Sequence, residues 1–352
     1  MNAVKLIILC LALLSLVSCS IDIESTIMKN FEGKPTKELF KVFHFLHNKE
    51  YDINSQEGIK RYGIFNSNLN LIKETNAKNL SYKLGVNEFA DMTVEEFKQK
   101  YLQNPEIKKN HMRNLREEAG FFDKYADAEE NVSVGAFTPI DWASSFGVAR
   151  NQRTCGSCWT FATLGVIESF RNRKNNNIGD YLSTQQLVDC DTGNNGCDGG
   201  VYSASFAYVK NNGVVDESAY TYQNKKGTCN IPNSATRTRI SSFSYCSNND
   251  NGGNPCTEDK TYNFLKSGPL SVGIDGTVIM LYKSGVYTGD CKEDNHAVIN
   301  VGYGIENGKE YYKIRNSWGP KWGENGYIKI ARNINNKNSC FVNGEVYTVT
   351  LE

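Results

Sequence analysis

Apolar residues recur along this chain with a helical period in its first third and a strand period toward its end. The stretch 35–101 reads as helical and contains no cysteine. Within residues 36–51, Leu39, Phe40, Phe43 and Leu46 fall at helical spacing, which predicts a helix with one apolar face. Over residues 55–79, Glu57, Arg61, Phe65, Asn68, Ile72 and Asn76 follow at steps of 4, 4, 3, 4 and 4. At about 100° per residue these six side chains fall within a stripe roughly 100° wide. An ordinary amphipathic packing helix accounts for that spacing, with Glu57 and Arg61 adding an i,i+4 ion pair. Past residue 137 a helix is predicted to begin near Cys158 and to turn Phe161, Leu164, Ile167 and Phe170 toward a core. Strand-like alternation then fills residues 271–275, 296–303, 311–315, 327–331 and 346–350, with glycine turns between. A helical lobe followed by a β lobe, with a cleft between them, is the α+β layout this order implies.

The ends of the pattern add a route through the cell. Lys5 precedes an apolar run from Leu6 to Val17 that closes in small residues, the form of a signal peptide. Leu16-Val17-Ser18-Cys19 also fits a bacterial lipoprotein processing site, so a second reading of this segment stays open. No other stretch approaches the ~20 apolar residues that span a bilayer, so stable membrane insertion is not expected. Residues 103–134 are polar and charged, as expected of a solvated linker open to proteases. Asn79 and Asn131 begin glycosylation acceptor triplets, meaningful only in a secretory-pathway protein. The 39 basic and 39 acidic residues cancel, which gives no reason to expect nucleic acid as a partner.

Cysteine and histidine carry the chemistry. Of 11 cysteines, Cys10 and Cys19 belong to the leader segment and nine lie in the C-terminal part. In an oxidising compartment structural cysteines pair, so an odd number leaves one thiol free. A free thiol with pKa near ~8.5 is a weak nucleophile until a helix N-terminus or a neighbouring imidazolium lowers that value. Cys158 opens the predicted helix. Of the four histidines His44, His47, His111 and His296, only the last belongs to the C-terminal part, so Cys-His chemistry there must use His296. A lone histidine at the start of a strand is more often structural, and the motifs around it decide.

Gln152-Arg153-Thr154-Cys155-Gly156-Ser157-Cys158-Trp159 resembles the active-site segment of the papain family of cysteine proteases. Further family motifs follow in order: Gly196-Cys197-Asp198-Gly199-Gly200, Asn295-His296-Ala297-Val298 with Gly302-Tyr303-Gly304, and Asn316-Ser317-Trp318-Gly319. The Glu57 to Asn76 stripe and Gly85-Val86-Asn87-Glu88-Phe89-Ala90-Asp91 resemble the two pro-region motifs of cathepsin L-like members. The resemblance implies a signal peptide over 1–19, an inhibitory pro-region over 20–136 and a catalytic domain over 137–352. It implies a papain-like two-lobed fold, with one helical and one β-barrel-like lobe.

By the same resemblance Cys158 attacks the peptide carbonyl, His296 handles its proton, Asn316 orients the imidazole with Trp318 shielding that bond, and Gln152 donates to the oxyanion. Cys155–Cys197, Cys190–Cys229 and Cys291–Cys340 correspond to the family's bridges. Cys246 and Cys256, flanking what looks like a polar insertion, are expected to pair with each other. Substrate would lie against Gly199, Gly200, Val201, Tyr202, Gly273, Asp294, Ala297, Trp318 and Glu345. An acidic floor at Glu345 would admit arginine or lysine beside bulky apolar residues, unless Asp294 and Glu345 face solvent. Arg153 stands where the family usually has glycine and Thr160 replaces a smaller residue, which puts substrate fit in question. The catalytic part has no second histidine, against the carboxypeptidase-type members, so an endopeptidase is expected. The implied partners are protein and peptide substrates and the chain's own pro-region. The protein would act as a monomer, without metal or other cofactor, in a lysosome, a digestive vacuole or outside the cell. A competing reading is a secreted binding protein that kept this fold and lost activity.

Overall fold

The structure, a computed structural model, describes residues 35–104, 106–107, 138–247, 256–332 and 339–352. The leader segment, Asn131, most of the 103–134 linker and the 248–254 insertion lie outside the described residues. The chain divides into two compact units, residues 1–68 and 69–352.

In the first unit α1 (Thr36–Leu46) ends short of residue 51, because Asn48 takes φ 46° and turns the chain out of the helical path. Its buried Phe40 and Phe43 meet Phe65 of α2 (Gln56–Ala77) with ring centroids 5.3 and 4.8 Å apart. Glu57 and Arg61 form the expected ion pair at 2.6 Å.

The second unit opens on the rest of α2, where Ile72 is buried and Asn76 does something other than pack. Its side-chain amide donates to the Leu84 carbonyl and accepts from the Leu84 N–H, both at 2.9 Å. That pair of hydrogen bonds fixes the end of β1 (Tyr82–Leu84), which pairs antiparallel with β7 (Tyr282–Tyr287). Helix α3 (Val94–Tyr101) begins at a capping box, Thr93 and Glu96 each accepting from the other's backbone N–H at 3.1 Å.

After β2 (Ile140–Asp141) come the helices α4 (Cys158–Asn175), α5 (Thr184–Cys190) and α6 (Tyr202–Asn212). The short pair β3 (Val214–Val215) and β4 (Arg237–Thr238) follows. The rest is β5 (Ile240–Ser247), α7 (Glu258–Ser267), β6 (Leu270–Ile274), β7, β8 (His296–Glu306), β9 (Lys309–Arg315), β10 (Tyr327–Ala331) and β11 (Glu345–Leu351). One sheet runs β1-β7-β10-β9-β8-β6-β11-β5, with β2 on β8. The β7–β10 pair is parallel and its neighbours are antiparallel. Its end strands β1 and β5 do not pair with each other among the described residues, so the barrel-like β lobe is not a closed barrel, and the expected α+β layout of helices plus a sheet stands. Helix α4 lies close on β8: a Cβ at Gly165 would stand 2.3 Å from the Ile299 side chain. That approach sets the helix carrying Cys158 against the strand carrying His296.

Candidate active site

Cys158 is the first residue of α4 and the free cysteine among the described residues. The other eight C-terminal cysteines pair as Cys155–Cys197, Cys190–Cys229, Cys246–Cys256 and Cys291–Cys340. The Cys155–Cys197 bridge ties the loop before α4 to the Gly199-Gly200 turn. The Cys158 sulfur accepts from the Ala297 N–H at 3.4 Å, which links it to the residue after His296.

His296 opens β8 and is fully buried. One Asn316 side-chain atom meets both the Ser317 N–H, at 2.7 Å, and His296 Nε2, also at 2.7 Å. A backbone N–H can only donate, so that atom is the amide oxygen, and Nε2 must then carry the hydrogen of the neutral ring. Nδ1 keeps its lone pair and is buried without a hydrogen-bond partner. Trp318 stacks on the imidazole, centroids 4.6 Å apart and planes 25° apart, and covers the bond from water.

Gln152 is buried and held at both ends. Ser317 Oγ donates to its Oε1 at 2.6 Å, and its Nε2 donates to the Cys155 carbonyl at 3.0 Å and to the Tyr101 carbonyl at 2.9 Å. Its own carbonyl accepts from the Tyr222 hydroxyl at 2.7 Å. Ser317 and Tyr222 are functional neighbours the sequence reading missed. Ser317 lay inside a recognised motif without a role, and Tyr222 carried no signal.

The Tyr101 carbonyl belongs to the segment that leaves α3, which continues along the Gly199-Gly200 turn and Asn295. Gln103 N–H donates to the Asn295 carbonyl at 3.2 Å, and its side chain accepts from the Gly200 N–H at 3.3 Å. Any Cβ at Gly199 would stand 2.9 Å from Gln103, and one at Gly276 would stand 2.5 Å from Leu102. Leu102 and Gln103 are buried, so the linker does not begin at residue 103 as a solvated strand. Its first residues fill the cleft because backbone groups of both walls pair with them. Upstream, Phe97 and Phe89 stand edge-on to Trp318, at 5.1 and 5.5 Å.

This cover reverses the expected ionisation. Burial pushes the Cys158 thiol up to about 12, outweighing the Ala297, Trp159 and Cys158 N–H groups that favour the thiolate. Burial pulls His296 down to about 4, against the Asn316 bond. The covered pair is a neutral thiol beside a neutral imidazole.

Tyr202, one of the expected substrate-binding residues, donates its hydroxyl to the Val272 carbonyl at 2.5 Å. Burial raises that phenol well above its usual range, helped by the carboxylates of Asp294 and Glu345. Val201, Ala297 and Glu345 are buried, the last at 5% exposure, so Glu345 does not face solvent. A Cβ at Gly273 would stand 2.1 Å from the Asp294 carboxylate, so glycine leaves that acid its place. Thr160 is buried and its hydroxyl donates to the Ser157 carbonyl at 2.8 Å, so its extra atoms are absorbed by the helix's first turn. Asn79 is exposed, at φ 52°, while Ser81 of the same triplet donates to the Val286 carbonyl at 2.8 Å.

Residues 138–350 match the family model described as papain family cysteine protease, and residues 40–97 match that of the cathepsin propeptide inhibitor domain. Cysteine proteinase RD21A of Arabidopsis thaliana is 37% identical over 86% of this chain, which spans 64% of that protein's length. The KDEL-tailed cysteine endopeptidase CEP2 of the same plant is 36% identical, over 90% of this chain and 86% of its own. The crystal structure of the ragweed pollen allergen Amb a 11, a cysteine protease in its proform, superposes with a TM-score of 0.76 at 31% identity. That superposition covers 92% of this chain and 97% of the allergen's.

Proposed function

The chain belongs to the papain family of cysteine proteases and carries that family's propeptide inhibitor domain, and we propose that it is a zymogen of a peptide-bond-cleaving endopeptidase with Cys158 as nucleophile. Once the pro-segment leaves, His296 Nδ1 takes the thiol proton and the sulfur attacks the substrate carbonyl. The developing oxyanion receives the Gln152 side-chain N–H and the Cys158 backbone N–H. The imidazolium protonates the leaving amine, and the thioester is then hydrolysed by water with His296 as base. Asn316 keeps the ring in the tautomer that frees Nδ1, and Trp318 keeps water off that bond.

The observation that carries this reading is the Tyr101 carbonyl on Gln152 Nε2. A backbone carbonyl of the chain's own pro-segment already sits on the donor that a scissile carbonyl would use. The reading extends to a leader over 1–19, a pro-region to 136, and a mature monomer beginning near Ala136 or Phe137 in the secretory pathway.

Specificity follows from the buried acid at Glu345 with Asp294 nearby: bulky apolar residues and arginine or lysine at the second position before the cut. Unchanged arginine preference in Glu345→Ala would remove that assignment. The whole reading is tested by titrating processed protein with an epoxide thiol inhibitor and mapping the adduct. One equivalent on Cys158 with loss of peptidase activity is expected; correctly processed protein that takes up none overturns it.

A further inference from the structure

We infer that Arg153 is a specificity-determining residue, selecting substrates with an acidic side chain next to the scissile bond. The inference rests on the active-site reading above, since Arg153 directly follows the oxyanion donor Gln152. Its backbone takes φ 53°, a left-handed conformation in which any Cβ is disfavoured and glycine is the unstrained choice. Its N–H donates to Asn151 Oδ1 at 2.8 Å, which closes the turn. A non-glycine residue held in this region beside reacting groups is the kind of strain that persists for function.

The loop cannot relax around it. Tyr222 hydroxyl bonds both the Gln152 carbonyl and Ser157 Oγ, each at 2.7 Å. Asn224 Nδ2 donates to Thr154 Oγ1 at 3.1 Å, and Cys155 is tied to Cys197. The turn therefore presents the Arg153 side chain from a fixed base.

The charge it presents is unspent. Arg150 pairs with Glu168, Arg171 with Asp216, and Arg332 with Glu258, while Arg315 bonds the Tyr327 hydroxyl and the Val148 carbonyl. The exposed Arg153 side chain has no hydrogen bond or ion pair among the described residues. Two carboxylates lie near the loop, and each is engaged. Glu217 accepts from the Tyr222 N–H at 2.8 Å and faces Arg150 at 3.6 Å. Glu88 bonds Asn151 Nδ2 at 3.4 Å and belongs to the pro-region that processing removes. A substrate carboxylate beside the cut would meet a cation without a competing anion.

An exposed pair of this kind is worth roughly a two- to fivefold preference and is screened by salt. The test uses enzyme processed from the full chain, at neutral pH. Its substrates are matched peptides carrying Glu or Gln just before or just after the cut. The readout is the Glu/Gln ratio of kcat/KM, which normalises away general loss of activity. In the parent enzyme the ratio at one of the two positions should fall with added salt. In both Arg153→Gln, which keeps the Cβ and loses the charge, and Arg153→Gly it should fall about two- to fivefold. An unchanged ratio in Arg153→Gln overturns the inference, even if Arg153→Gly changes it, because backbone relief would then be the cause. Cleavage of neither peptide by the parent enzyme would overturn the active-site reading as well.

Discussion

Replacing Phe97 by alanine should uncover Cys158 without touching the catalytic domain. Phe97 is fully buried on α3, edge-on to Trp318 at 5.1 Å and 84°, and stacked on Tyr101 at 5.4 Å. Tyr101 in turn offers the carbonyl that occupies Gln152. Truncating a buried phenylalanine costs about 3–5 kcal/mol, part of it the specific ring contacts. The ring is exposed once the segment undocks, so the loss falls almost wholly on the covered state. At about 1.4 kcal/mol per tenfold, the open fraction should rise roughly 150- to 4000-fold. The assay is the rate at which a thiol-alkylating reagent labels Cys158 in unprocessed protein at neutral pH. When closing outpaces labelling, that rate follows the open fraction. A Phe97→Ala zymogen that folds and labels within about threefold of the parent would refute the idea that this aromatic contact holds the cover down.

Two further outcomes follow from the titrating groups. In the zymogen the thiol stands at about 12, so its alkylation rate should climb with pH across the whole accessible alkaline range, whereas processed enzyme should plateau far lower; coincident profiles would show that the cover does not set the ionisation. The Lys98 ammonium, 2.7 Å from Glu293, and then Asn295 hold that carboxyl below its usual range, so its contribution to docking is full above the ordinary carboxylate pKa and is lost as pH falls through the lowered value. Glu293→Gln should therefore speed pro-segment release at neutral pH by a small, salt-sensitive factor, measured by the same labelling rate; a slower release would reverse the sign.

Parts of this arrangement were open to reading from residue order alone, for identifiable reasons. The helix at Cys158 and the strands at β6, β8, β9, β10 and β11 declare themselves by local periodicity, and His296 by being the one histidine of its part. Strand β7, Tyr-Lys-Ser-Gly-Val-Tyr, has too few alternating apolar positions to stand out, and it exists because β1 and β10 pair with its edges. Ser317 on Gln152 spans 165 residues and Ser81 on Val286 spans 205, contacts no local pattern encodes. The barrel-like lobe was implied by resemblance, and that its sheet stays unclosed, with β1 and β5 ending it on different partners, is a detail no local pattern encodes. The thiolate expectation weighed the helix N-terminus but not the burial of the thiol, which outweighs it.

Burial of His296 predicts a cover that loosens in acid independently of Glu293. For the imidazole the docked value of about 4 lies below the ordinary value of 6.5, so docking favours the neutral ring. Above the ordinary value both states are neutral and the contribution is complete. As pH falls below it, only the undocked ring gains a proton, and docking weakens progressively until the docked ring also titrates near 4. The full shift corresponds to about 3 kcal/mol, an upper bound on what docking adds, because Trp318 and Asn316 cover the ring from the C-terminal part itself. The thiol acts in the opposite direction: docking favours its protonated form, so its contribution is full below the undocked thiol's pKa and lost as pH rises above it, and in acid it offsets part of the imidazole's drive to release. A Glu293→Gln zymogen should therefore keep most of its acid-triggered exposure of the cleft, followed by hydrogen exchange in the Cys158→Ala background, where self-cleavage is impossible. If that variant stays equally closed at every pH from neutral down to about 4, His296 is not the acid trigger.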